Sequence, residues 1–164
     1  MAGCRSSVAA LALLAATAAG ADDTLRNWFD DPFFAVSALV ADCPPPAGPF
    51  VDEAERRVQA HRRAEKGTTC WLAGVCERPN AYAYDRDIAA ALQVALRERP
   101  PLAASSLWVT VQGRVMYIEG CATKSSEVDA LQALARSLPQ VEQVVTIVRT
   151  DPAAPPPYRV RPAR

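Results

Sequence analysis

The segment from Asp85 to Val148 constrains the fold most, because helical and strand-like patterns alternate along it. Its first pattern begins at Asp85, a favourable residue for a helix N-cap, and Pro100 and Pro101 stop any helix from continuing. The apolar positions between them recur at helical spacing: Ile88, Leu92, Ala95 and Leu96. This pattern predicts a helix with one apolar face.

The next segment predicts a β-hairpin that turns at Gly113. One set of alternating positions is apolar or small: Leu107, Val109, Val111, Met116, Ile118, Gly120 and Ala122. The other set is mixed: Trp108, Thr110, Gln112, Val115, Tyr117, Glu119 and Cys121. Successive side chains of a strand point to opposite faces. We therefore expect the two helices to cover the first face, and Trp108, Tyr117 and Cys121 to lie on the second.

A second helix and a last strand complete the segment. The helix begins near Ser125 and ends at Pro139, and Val141–Val148 is rich in β-branched residues, which favour strands. Its apolar stripe is Val128, Leu131, Leu134, Ala135 and Leu138. The order of elements predicts an α+β fold, αββαβ, with two helices packed on one face of a three-stranded mixed sheet.

These residues resemble the BON domain, a small module of bacterial envelope and osmotic-shock proteins. The resemblance covers residues 84–150 and includes the hairpin glycines Gly113 and Gly120. It rests on the segments YDRDIAAALQVAL, LWVTVQGRVMYIEGCA and EVDALQALARSLPQVEQVVTIV. Many members have a glycine where this chain has Gln140, so we expect that turn to differ. The resemblance implies a single, non-enzymatic domain linked to phospholipid or outer-membrane surfaces and to envelope integrity.

The N-terminus predicts export. Arg5 precedes an apolar run from Val8 to Ala19, and the small residues at 19–21 suit signal peptidase. We interpret residues 1–21 as a signal peptide, which places the protein in the periplasm with Asp22 as its first residue. The apolar run is shorter than the ~20 residues that a membrane-spanning helix needs, so no transmembrane segment is expected.

Four cysteines remain after this cleavage, and an even number in an exported chain predicts two disulfides. They are Cys43, Cys70, Cys76 and Cys121, which allow three connectivities. We favour Cys43–Cys121, which would hold the N-terminal extension on the second face of the sheet, together with a local Cys70–Cys76 bridge.

The extension, residues 22–83, holds two candidate binding features and a predicted helix from Asp52 to Lys66. The first feature is an aromatic cluster: Trp28, Phe29, Phe33 and Phe34. The second is the arginine set of the helix: Arg56, Arg57, Arg62 and Arg63. We expect the aromatic cluster to cover the second sheet face and the arginines to be solvated, where they could bind lipid headgroups. The Pro- and Arg-rich tail, residues 151–164, is expected to be mobile.

Catalytic chemistry finds no support in the sequence. The chain has one histidine, and Cys70 and Cys76 lack the CxxC spacing of redox or zinc sites. Eighteen basic residues balance eighteen acidic ones, which argues against nucleic-acid binding. We therefore expect no catalytic residues, metal or cofactor. The favoured function is an envelope module that contacts phospholipid or envelope proteins. The alternative is a periplasmic protein–protein adaptor of a surface or secretion complex, and an enzyme ranks third.

Overall fold

The computed structural model describes residues 25–162, so the predicted signal peptide and its cleavage site lie outside the described residues. The elements follow in chain order: β1 (Phe33–Ala38), α1 (Glu53–Gly67), α2 (Thr69–Leu72), a 3₁₀ turn (Ala81–Tyr84), α3 (Asp85–Arg97), β2 (Ser105–Gln112), β3 (Val115–Ala122), α4 (Ser125–Ser137) and β4 (Gln143–Arg149). The predicted αββαβ order is therefore confirmed as α3, β2, β3, α4 and β4.

The sheet has four strands in the order β1-β2-β3-β4, so the prediction of three strands is wrong. The β2–β3 hairpin is antiparallel and β4 pairs in parallel with β3, which makes the sheet mixed as predicted. The additional strand, β1, comes from the N-terminal extension and pairs antiparallel with β2. It satisfies backbone groups of β2 that an open sheet edge would leave unpaired.

Helices α3 and α4 pack on one face of the sheet, as predicted. Leu107, Val109 and Ile118 are fully buried there. The other members of this core are Tyr84, Ile88, Ala89, Leu92, Val111, Met116, Leu131, Leu134, Ala135 and Val144. Gly120 lies on the same face of β3 at a φ of +141°, and a Cβ there would sit 2.1 Å from the Ser106 carbonyl oxygen. Only glycine fits this close approach of β2 and β3.

The second face of the sheet is covered by loop 43–51 and the C-terminal tail, not by the aromatic segment as expected. Phe33 pairs with Thr110 and Phe34 with Val109, so successive phenylalanines of β1 point to opposite faces. Phe34 packs against the helical core, whereas the Phe33 ring meets Phe50 edge-on at 5.9 Å. The aromatic segment thus extends the sheet instead of layering over it.

The tail contacts the body of the protein as far as Arg161, whose N–H donates to the Pro45 carbonyl at 3.0 Å. Tyr158 is buried, and its hydroxyl lies 3.5 Å from the Cys121 Sγ and donates to the Pro44 carbonyl at 2.8 Å. The Ala47 N–H donates to the Arg159 carbonyl at 2.7 Å. The burial of Tyr158 and the hydrogen bond to loop 43–51 offset the conformational entropy that this proline-rich segment loses when it is ordered.

Candidate functional site

The α1 helix carries the predicted arginine set and is capped by Asp52, whose carboxylate accepts the Glu55 N–H at 2.8 Å. Arg56 and Arg57 both pair with Glu53, at 2.7 and 3.3 Å. The hydrogen bond from Arg56 lowers the pKa of the Glu53 carboxyl to about 2. These two arginines therefore have a partner on their own helix, although Arg57 remains exposed.

Arg63 belongs to the interior and not to the binding surface predicted for it. Its side chain is 14% exposed and pairs with the buried Asp31. The guanidinium lies between two rings, 4.0 Å from the Phe29 centroid and 4.2 Å from the Tyr82 centroid. Asp31 also accepts a hydrogen bond from the Gln112 amide at 2.6 Å. Arg63 thus connects α1 to the segment before β1, and through Asp31 to the end of β2.

The aromatic cluster is likewise structural. The Trp28 indole N–H donates to the Val51 carbonyl at 2.8 Å. Arg26 and Arg56 lie over its ring at 5.3 and 5.7 Å. Phe29 lies against Arg63, and the two phenylalanines of β1 pack on opposite faces of the sheet. All four predicted aromatic residues therefore contact the body of the protein.

Arg62 and Lys66 are the cations of α1 that stay free. Both are exposed, and neither makes an ion pair with any residue between 25 and 162. They are spaced i,i+4, so they lie on one face of the helix in its last two turns. Lys66 was not singled out from the sequence, although its position at the end of a helix with several basic residues was visible there.

The structure contains both disulfides in the favoured connectivity, Cys43–Cys121 and Cys70–Cys76. The second closes a small loop, residues 70–76, which we call the Cys70–Cys76 loop. Its apolar side chains point outward: Trp71 is 48% exposed, Leu72 73% and Val75 69%. The sequence predicts only a local bridge here, although its apolar residues between closely spaced cysteines could have indicated an exposed apolar loop.

The Asp85 carboxylate holds the hairpin turn. Asp85 is not the N-cap of α3 that the sequence predicts. The 3₁₀ turn leads directly into α3, so the N-cap position falls on Tyr84 and the Asp85 carboxylate is free to reach the hairpin. It accepts the N–H groups of Gly113 at 2.7 Å and Arg114 at 2.8 Å. Both residues have positive φ, +62° and +69°, as in a type I′ turn. Burial raises the pKa of Asp85 to about 6, against the effect of these two hydrogen bonds.

A comparison with protein-family models matches residues 84–152, as a single copy, to the BON domain, and we use this name for the segment. The match covers less than half of the chain. Comparisons with curated proteins and with solved structures return no match. The domain begins at Tyr84, one residue before α3, so β1, α1 and the Cys70–Cys76 loop all lie outside it.

The turn that leads into β4 is held by contacts between Gln140, Glu142 and Arg114. Gln140 has a φ of +67°, in the left-handed region that glycine favours. Its carbonyl accepts a hydrogen bond from the Arg114 Nε at 2.8 Å, and the Glu142 N–H donates to the Arg114 carbonyl at 2.9 Å. These contacts hold the backbone in a conformation that a glutamine adopts at some cost.

A groove of about 280 Å³ lies in the BON domain between the end of α3 and α4. Its walls are mainly apolar: Leu96, Pro100, Pro101, Leu102, Ala130, Leu131 and Leu134. The acid on its rim, Glu127, accepts the Ala104 N–H and the Ser105 hydroxyl, both at 2.9 Å. Glu127 is therefore engaged in holding the start of β2. The groove suits a small apolar group and offers no pair of groups for acid–base chemistry.

Within residues 25–162, no three His, Cys, Asp or Glu side chains form a group that could hold a metal ion. In the same range, no helix has the length and apolar character needed to cross a bilayer.

Proposed function

We propose that this protein is an exported, non-enzymatic binding module of the cell envelope that contacts phospholipid surfaces. The observation that carries the proposal is the BON domain, a family associated with phospholipid surfaces and the periplasm. Two disulfides support export, because such bonds persist in oxidising compartments. The proposed signal peptide at residues 1–21 provides the route to the periplasm.

The charges of α1 support headgroup binding, with a smaller set than the sequence suggested. Arg63 is committed to Asp31, and Arg56 to Glu53 and Trp28. Arg62 and Lys66 remain exposed and unpaired within the described part of the chain. Cations near an anionic membrane contribute roughly 1 kcal/mol each at low ionic strength.

Co-sedimentation with vesicles tests the lipid function. Protein with both disulfides formed is mixed with vesicles of phosphatidylglycerol and phosphatidylcholine, and with vesicles of phosphatidylcholine alone, over a series of salt concentrations. We expect binding to the anionic vesicles that weakens as salt screens the cations. If the protein binds neither kind of vesicle, the lipid function is refuted.

Export is tested separately, by sequencing the N-terminus of protein recovered from a periplasmic extract. We expect Asp22 as the first residue. Recovery only from the cytoplasm, with Met1 retained, would contradict export.

The apolar groove between α3 and α4 favours a second candidate, a periplasmic protein–protein adaptor. A groove of about 280 Å³ can receive one or two apolar side chains of a partner. Ala130 lines the groove, and a bulky residue there would block it. A partner recovered by affinity purification with the wild type, but lost with Ala130→Trp, would support the adaptor if vesicles do not bind.

A further inference from the structure

We infer that the Cys70–Cys76 loop inserts its apolar side chains into the interfacial layer of a phospholipid membrane, while Arg62 and Lys66 of the preceding helix bind headgroup phosphates. This inference rests on the proposed lipid function and names the element that performs it. The loop lies outside the BON domain and was not among the binding features predicted from the sequence.

The exposed apolar side chains of the loop are concentrated in one small segment. Trp71, Leu72 and Val75 are each about half or more exposed and lie within five consecutive residues. No charged residue occurs between Gly67 and Cys76. Exposed apolar clusters of this kind mark interaction sites on soluble domains. Tryptophan in particular favours the membrane–water interface, where its ring is buried and its N–H can reach polar groups.

The backbone of the loop is already prepared for an apolar environment. Every N–H from Leu72 to Cys76 donates within the loop or to one of the two residues that precede it. The acceptors are the carbonyls of Thr68, Thr69, Trp71 and, for the last two N–H groups, Cys70, at 2.9–3.2 Å. Unpaired backbone N–H groups are what makes most loops too costly to place in lipid. This loop can leave water without losing hydrogen bonds from those donors.

The loop is anchored at its base, so that it is presented as a rigid projection. Cys76 packs against the helical core, and the Arg114 Nη1 donates to its Sγ at 2.8 Å. At the other end, Gly67 is buried so close to Asn80 that a Cβ would lie 2.7 Å from the amide nitrogen. A pre-formed projection loses little conformational entropy when it inserts.

Charge complementarity favours a phospholipid surface as the occupant over a purely apolar protein pocket. Lys66 lies in the last turn of α1, four residues before the loop begins, and Arg62 lies one turn earlier on the same face. Both cations are exposed and unpaired within residues 25–162, and the exposed Glu77, directly after the loop, offsets part of their charge. Apolar residues that insert, next to cations that remain outside, are the arrangement by which interfacial segments bind anionic membranes.

The test measures co-sedimentation of the wild type and of two pairs of variants with phosphatidylglycerol/phosphatidylcholine vesicles. The loop variant Trp71→Ser/Leu72→Ser/Val75→Ser is compared with Leu39→Ser/Val94→Ser, which removes exposed apolar residues elsewhere. The charge variant Arg62→Gln/Lys66→Gln is compared with Arg97→Gln/Arg136→Gln, which removes exposed cations of α3 and α4. Circular dichroism and thermal melting verify that each variant is folded.

We expect the loop variant to bind at least about tenfold more weakly than the wild type. The charge variant should bind roughly tenfold to thirtyfold more weakly, at low salt only. Each control should stay within about twofold. Insertion also predicts that vesicles with brominated acyl chains quench tryptophan fluorescence. This quenching should be lost in Trp71→Phe, which keeps its binding.

Two failures are distinguishable. If the wild type binds neither vesicle, the lipid function itself fails and the inference with it. If the wild type binds but the loop variant binds equally well, the inference is overturned while the lipid function stands. A loop that docks on a protein gives this second result. The inference is also overturned if the Leu39→Ser/Val94→Ser control weakens binding as much as the loop variant does.

Discussion

The Asp85 carboxylate accepts the backbone N–H of Arg114 at 2.8 Å, and through this contact the first helix of the BON domain holds the hairpin turn. The same carboxylate accepts the Gly113 N–H. Replacement Asp85→Ala leaves two partly buried donors without an acceptor, so we expect a loss of about 2 kcal/mol in the free energy of unfolding. Urea denaturation measures it. Asp87→Ala, in the same turn of α3 but exposed, is the matched control and should cost much less.

The raised pKa of Asp85 gives stability a dependence on pH. Its folded pKa of about 6 exceeds its ordinary value of 3.8, because burial disfavours the charged form. The folded state therefore binds this proton more tightly than the unfolded state does. The contribution of Asp85 is fully present below about pH 4 and is lost as pH rises through about 6. In Asp85→Asn, urea denaturation from pH 4 to 7 should show a smaller decrease in stability with pH. An unchanged pH profile would contradict the assignment.

The two disulfides should differ in their effects on stability. Cys43–Cys121 joins residues separated by 78 positions, whereas Cys70–Cys76 spans 6. In the chain-entropy model the first contributes about 4 kcal/mol and the second about 2 kcal/mol. We expect Cys43→Ala/Cys121→Ala to lower the free energy of unfolding more than Cys70→Ala/Cys76→Ala. Equal losses would show that loop length does not govern the effect.

Two adjacent arginines of α1 offer a matched comparison. Arg63→Gln breaks the pair with the buried Asp31 and removes a cation from between two rings, so we expect a loss of about 3 kcal/mol. Arg62→Gln removes an exposed charge without a partner in the described chain and should change stability by less than about 0.5 kcal/mol. Thermal melting of both variants is the measurement. Similar melting temperatures would refute the structural role of Arg63.

A glycine at position 140, in the turn before β4, should increase the free energy of unfolding. Gln140 holds a φ of +67°, and its side chain is exposed. Gln140→Gly relieves the left-handed strain but increases the entropy of the unfolded chain, so the expected net gain is at most about 1 kcal/mol. Gln132→Gly, within α4, is the control and should destabilise by about 1 kcal/mol. A loss of stability in Gln140→Gly would indicate that the glutamine side chain contributes contacts of its own.

The BON core could be predicted from sequence because its information is local. The apolar stripes of α3 and α4 and the alternation in β2 and β3 each occupy one continuous segment. Asp85 shows where local reasoning fails, since a favourable capping residue instead bonds to a turn 28 residues away. The 3₁₀ turn before α3 provides the physical reason, because it makes a side-chain cap at Asp85 unnecessary.

The roles of the extension and tail depend on contacts between distant segments. β1 contains a bulge between Ala35 and Ser37, which breaks the alternation by which a strand is recognised. Its partner lies far along the chain, as does the disulfide that Tyr158 contacts. The free cations of α1 were hidden for the same reason, because only the fold shows that Arg63 points inward and Arg62 outward.

The distance in sequence between Cys43 and Cys121 also sets an order of folding. The α3–β2–β3–α4–β4 unit is built mostly from neighbouring segments, whereas β1 must close a loop of more than sixty residues to reach β2. The hairpin must therefore form before β1 has an edge on which to pair. We therefore expect oxidation of this bridge to be a late step that secures an assembled sheet. Until the bridge forms, β1 is held on the sheet by noncovalent pairing alone, and the rate of oxidation determines how long that state lasts.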